Sequence, residues 1–139
     1  MFIKYTYDTT MSTITTVRAT NIHDCVTSSQ LEPKVIELSG VNSSGSYECL
    51  YYSAINKVWF AMYVTGSAYA AGSRHVVATV PEFYRPARRT ALAIDGLQDY
   101  SGVLKASING DGEIGFTTSV AKASGDDMYI SGWWHVPGL

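Results

Sequence analysis

The side chains best equipped for chemistry are scattered along this sequence. His23 and Cys25, two residues apart beside Asp24, would point to the same side of a strand, the arrangement of a thiol nucleophile with its base. No third orienting group and no strained elbow of the Gly-x-Ser-x-Gly type accompanies them. Asp126 with Asp127, and Asp95 with Asp99, offer paired carboxylates. Adjacent strand residues face opposite sides, so Asp126 and Asp127 could not flank one bond from a strand and read as solvated loop acids. Asn109, Asp111 and Glu113 place oxygens at alternate positions, as a cation loop would. A full calcium loop needs more ligands and a bidentate Glu much further along, so Asn109-Gly110-Asp111-Gly112 reads as a hairpin turn. A phosphate-binding loop, a dinucleotide fingerprint, His-Glu-x-x-His and Cys-x-x-Cys are all missing from the sequence. The expectation is a protein without catalytic residues, metal or cofactor.

Aromatic residues carry more information, with 10 Tyr and 3 Trp in the chain. In 57–65, Val58, Phe60, Met62 and Val64 point one way and Trp59, Ala61, Tyr63 and Thr65 the other. In 128–135, Met128, Ile130 and Trp134 share one face, and Tyr129, Trp133 and His135 share the opposite one. Both faces of both segments need cover. One explanation is a second core layer or an oligomer interface, where Tyr and Trp are enriched. The other is a sugar-stacking platform, since a pyranose presents apolar C–H faces to a ring and hydroxyl edges to short polar side chains. The candidate ligand-binding residues are Trp59, Tyr63, Tyr69, Tyr100, Trp133 and His135.

These residues must be positioned by strands. Alternation of apolar and polar residues recurs at 47–53, 57–65, 74–80, 90–95, 103–108, 113–118 and 128–135, with Gly, Pro, Asn or Asp between most of them. Val35 to Leu38, after Pro33, reads as an edge strand, and 40–46 as a Ser/Gly loop. With no helix long enough for a crossover, the expected fold is an all-β antiparallel sandwich, jelly-roll-like. At 139 residues the chain is one domain long. The division expected within it is an N-terminal arm, 1–46, and a sandwich, 47–139. Charged residues are only 16% and the formal charge is -2, so nothing favours binding to nucleic acid or an anionic membrane. No run reaches the ~20 apolar residues of a membrane span. The N-terminus lacks the pattern of a secretory signal, so folding in the cytosol is expected, with Cys25 and Cys49 as free thiols.

From Tyr47 onward the order of features resembles a small β-sandwich domain found at the C-terminal ends of bacteriophage and prophage tail-fibre and baseplate proteins. The matching residues are Trp59 through Gly66, Gly72, Val77 through Pro86 with its Tyr84-Arg85-Pro86 element, Ser107 through Ile114, and the closing Tyr129-Ile130-Ser131-Gly132-Trp133-Trp134. Phe83 stands where the pattern usually has Gly. Physically, Pro81 ends a strand, Pro86 sets a rigid turn, Tyr84 can cap the sandwich, and Arg85 can pair with a carboxylate or carbonyl. The resemblance implies a homotrimeric virion protein, made in the host cytoplasm, that attaches a tail appendage to a surface glycan or protein of the host bacterium. A structural virion component, such as a head fibre, decoration or baseplate protein contacting other virion proteins, is the alternative, and a polysaccharide-degrading enzyme a weaker one.

Overall fold

A computed structural model of the chain describes residues 32–97 and 100–137, all within one compact unit, Glu32–Leu139. His23, Asp24 and Cys25, Asp99, and most of the expected arm lie outside the described residues. The unit contains β1 (Lys34–Val35), β2 (Tyr47–Tyr52), β3 (Lys57–Val64), β4 (His75–Thr79), β5 (Thr90–Leu97), β6 (Leu104–Ile108), β7 (Glu113–Thr118) and β8 (Asp127–His135), with a 3-10 turn at Glu82–Tyr84. Every pairing is antiparallel, in one sheet of order β1-β2-β3-β8-β5-β6-β7-β4, curled into a half-barrel. The expected all-β, antiparallel architecture is the one adopted. No helix among the described residues is long and apolar enough to cross a membrane.

The alternation in the sequence decides which face goes inside. Val58, Phe60, Met62 and Val64 of β3 are fully buried, and so are Met128 and Ile130 of β8, which pair with Val64 and Met62. From the other half of the sheet, Val77, Ile108, Ile114 and Phe116 join them in a single core. Burial of each such side chain stabilises by roughly 1.5–3 kcal/mol.

β5 connects the two halves. Its Thr90, Ala91 and Leu92 pair with β6, whereas Ala93 through Leu97 pair with β8. The corner packs closely: a Cβ on Gly132 would stand 2.7 Å from Leu92 Cδ2. In β4 the register shifts between Val76 and Ala78. That bulge buries two successive residues, Val77 and Ala78, which strict alternation would place on opposite faces.

Residues 36–44 lace the curled sheet across its seam. Ile36 N–H donates to the Cys49 carbonyl at 2.8 Å beside β1, and Ile36 is buried. Ser39 and Thr79 then exchange N–H···O bonds of 3.0 and 2.8 Å, and Asn42 N–H donates to Val77 O at 2.8 Å, so the free edge of β4 is covered. The Ser43 hydroxyl donates to Tyr63 O at 2.8 Å and accepts from Thr65 N–H at 3.0 Å, which docks the Ser/Gly loop on the end of β3. Residues 32–46 are thus part of the same compact unit as the strands that follow.

Candidate functional site

The β6–β7 turn is a hairpin held by its own first residue. Asn109 Oδ1 accepts from the N–H groups of Asp111 (3.1 Å) and Glu113 (2.9 Å), and its Nδ2 donates to Glu113 Oε1 at 3.0 Å. Gly112 has φ +84°, the left-handed conformation that ends a three-residue hairpin loop. Asn109 Oδ1 and Glu113 Oε1 are thus engaged in the turn itself, and no group of three His, Cys, Asp or Glu side chains that could hold a metal occurs among the described residues.

Above this hairpin lies the Tyr84-Arg85-Pro86 element. Arg85 Nε donates to the Val80 carbonyl at 2.8 Å, the carbonyl pairing anticipated from the sequence. Arg85 lies so close to Gly112 that a Cβ there would stand 2.5 Å from Nε. Tyr84 O accepts the indole N–H of Trp134 at 2.7 Å, and the Tyr84 ring packs on Tyr51 and Phe83. Phe83 has no left-handed backbone, so the position does not require Gly.

The outer face of β2, β3 and β8 brings four of the six candidates together. Cross-strand register sets Leu50, Trp59 and Trp133 in one row, and Tyr52, Lys57 and His135 in the next. The rings of Trp59 and Trp133 have centroids 5.2 Å apart, and Tyr52 adds a third ring 5.6 Å from Trp133. Four residues along β3, about 13 Å at the usual strand rise, Tyr63 pairs with Tyr129 at 4.9 Å. Between the two aromatic ridges runs a row of short side chains, Ala61, Ser131 and Ala93, with Glu48 at its β2 end. Trp59 Nε1 donates to Glu48 Oε1 at 3.1 Å, which fixes the indole and one carboxylate oxygen. Tyr63 and Trp133 remain 46% and 45% exposed, large for aromatic residues in the middle of a sheet.

Each ridge borders a depression. A cavity of about 180 Å³ touches Ser46, Glu48, Tyr63 and Tyr129, and one of about 360 Å³ touches Lys57, Arg88, Trp133 and His135. The arrangement supplies flat apolar contact from rings and directional hydrogen bonds from Glu48, Ser46, Ser131 and His135. Those are the groups that hold an uncharged hydroxylated ring against a surface. No protein-family model and no curated protein matches this chain.

Tyr69 and Tyr100 are placed elsewhere. Tyr69 is only 6% exposed and packs on Phe116 and His75, with its hydroxyl donating to Asn42 O at 2.6 Å. This candidate therefore offers little ring surface to a ligand: Asn42 holds its hydroxyl, and Lys122 pairs with its backbone and sets an ammonium 5.6 Å from its ring. Burial pushes its phenol pKa up, partly offset by a hydrogen bond with Ser67. Tyr100 is half-buried over Gly96 and Gly102, and its hydroxyl donates to Val120 O at 2.6 Å. Both rings serve the packing of loops.

Asp126 stays in a loop, accepting the Ala123 N–H at 2.9 Å, while Asp127 opens β8. Lys122 is 1% exposed, and its ammonium donates to Ser67 O (2.7 Å) and Ala123 O (3.2 Å), so it ties two loops. Sequence reasoning left Tyr52, Glu48, Ser131 and Tyr129 out of the candidate set. Tyr129 shares its strand face with Trp133 and was within reach of alternation. The others depend on which strand lies beside which, and no local signal carries that.

Proposed function

We propose that this protein is a bacteriophage virion protein whose β-rich unit attaches to a glycan or protein on the host bacterial surface. The observation that carries the reading is the Trp59–Trp133 pair, half-buried at Trp59 and exposed at Trp133, beside the trough of small residues, with Glu48 held against the Trp59 indole. Two ridges of rings across a trough of small side chains, with Ser131 in it and Glu48 at its end, suit a saccharide lying along the sheet. The resemblance of 47–139 to tail-fibre tip domains supports the setting, and the single core shared by both halves of the sheet suits a sandwich hinged at β5. In that setting the protein acts as a homotrimer on a tail or other appendage. Recognition there needs no catalytic group.

The test is attachment of labelled protein to a panel of bacteria. Trp133→Ala and Tyr63→Ala should each weaken attachment by about tenfold or more, since an aromatic contact of this size is worth one to two kcal/mol. Oligomeric state and melting temperature should not change. If neither substitution weakens attachment while the assembly survives, the aromatic face is not the receptor site.

A second reading has an observation in its favour. A face with two large aromatics nearly half exposed is also what a subunit contact looks like before assembly. A structural virion component would use it to join copies or neighbouring virion proteins. In that case Trp133→Ala disrupts assembly first.

A further inference from the structure

The strand switch in β5 opens another depression, on the half of the sheet away from the aromatic ridges. Beyond the Leu92–Ala106 pair, β5 leaves β6 for β8, and the two strands diverge. A cleft of about 510 Å³ occupies the divergence, within the size range of small-ligand sites. Leu92, Ile94 and Leu104 give it an apolar side. Arg74, Arg89 and Lys105 give it a cationic rim, and Ser107 and Thr117 contribute hydroxyls. Among the described residues, no Asp or Glu lines it.

Arg74 is held in place before any ligand arrives. Its Nη1 donates to Ser107 Oγ at 2.7 Å, and its Nη2 to the carbonyls of Ser107 (3.2 Å) and Glu113 (2.8 Å). The guanidinium lies against Gly115, where a Cβ would stand 2.9 Å from Cζ, so β7 leaves room for it only by carrying no side chain at that point. All three partners are neutral oxygens. Arg89 and Lys105 form no ion pair with a described residue. Burial and the nearby Arg89 push the Arg74 pKa down, with Glu113 opposing, and the Glu113 carboxylate itself is engaged by Asn109. Three cations on one rim of a chain whose net charge is -2 repel one another unless an anion joins them.

We propose that this cleft binds an anionic sugar, with its carboxylate or phosphate on the Arg74–Arg89–Lys105 rim and its ring against Leu92, Ile94 and Leu104. A bare inorganic anion would use the cations and leave the apolar side idle, whereas a neutral sugar would leave the cations unpaired. A planar or tetrahedral anion accepts paired N–H bonds from a guanidinium fork, which exposed Arg89 can give, while Arg74, its Nη2 hydrogens engaged, supplies a fixed positive charge beside it. The inference rests on reading the protein as a glycan binder and makes part of that glycan acidic.

The experiment is an amide chemical-shift titration of the full chain with glucuronate, glucose 6-phosphate, glucose and inorganic phosphate. Glucuronate or glucose 6-phosphate should shift the amides of Arg89, Lys105, Ser107 and Thr117. The stronger of the two identifies the anion as carboxylate or phosphate. Glucose should leave those amides unmoved. The exposed double variant Arg89→Gln, Lys105→Gln should weaken the response about tenfold, as expected on losing a charge-assisted hydrogen bond. A flat titration, a response unchanged in the double variant, or inorganic phosphate acting as strongly as the sugar phosphate overturns the proposal. The titration needs no host cell. A failure here therefore leaves attachment through Trp133 standing, and a failure of attachment leaves the titration to be judged alone.

Discussion

Cys49 shows how one residue's environment overrides its usual reactivity. It is buried opposite Phe60 and free of any disulfide, and burial pushes its thiol up to about 12. The unfolded thiol titrates near 9.0, so between pH 9 and about 12 the unfolded chain gives up a proton that the folded chain keeps. Its contribution to stability is therefore full below pH 9 and falls as pH rises toward 12. In a Cys25→Ser variant, a thiol reagent at pH 8 should leave Cys49 unmodified until the protein is unfolded. Rapid labelling of the native protein would contradict the buried placement. Tyr69 makes a comparable point with a hydroxyl. Tyr69→Phe removes the 2.6 Å bond to Asn42 O and should cost about 1–2 kcal/mol in denaturant unfolding, with host attachment unchanged.

At the scale of elements, two devices turn a row of strands into a site-bearing unit. The first is the seam segment 36–44, which hydrogen-bonds β2 at Ile36, β4 at Ser39 and Asn42, and the end of β3 at Ser43 and Ser44. Ile36 anchors it in the core, so Ile36→Ala should destabilise by about 2–5 kcal/mol and should expose the Ser39 and Thr79 amides to hydrogen exchange first. Equal protection of those amides in the variant would mean that the seam does not depend on its anchor. The second device is the clasp of Arg85 over the β6–β7 hairpin. Gly112→Ala would force a left-handed alanine against Arg85 Nε and the Val80 carbonyl, and a loss of at least about 2 kcal/mol is expected from thermal unfolding. The clasp also holds the 81–86 turn, through which Tyr84 O reaches the Trp134 indole. Instability at Gly112 should accordingly appear as a change in the near-ultraviolet signal of Trp134.

At the scale of the whole molecule, the outer face of β2, β3 and β8 sets the assembly. A curled sheet with one core buries its inner face and leaves Tyr63 and Trp133 to solvent. The threefold association proposed above would place copies of this unit around an axis and cover part of that surface. Sedimentation equilibrium at micromolar concentration should give three times the 15.1 kDa chain mass. A single species of 15.1 kDa would overturn the trimer and leave the aromatic face wholly available to ligand.

Local pattern alone determined the strands. Period-two alternation placed 57–65, 113–118 and 128–135 within a residue of β3, β7 and β8, because a buried inner face demands a side chain of one kind at every second position. The same alternation separated Phe60 and Met62 from Trp59 and Tyr63, and turn chemistry located the hairpin at Asn109 through Gly112. Neighbourhood was decided only in three dimensions. The order β3-β8-β5 joins segments far apart in the chain, and no local preference encodes that choice; burial of one shared core selects it. Only that order puts Trp133 beside Trp59 and encloses Tyr69. It also brings Arg74, from the loop just before β4, to the same rim as Arg89 and Lys105. Side-chain type was legible residue by residue, whereas a site is a set of side chains on different strands, and their meeting is a property of the fold.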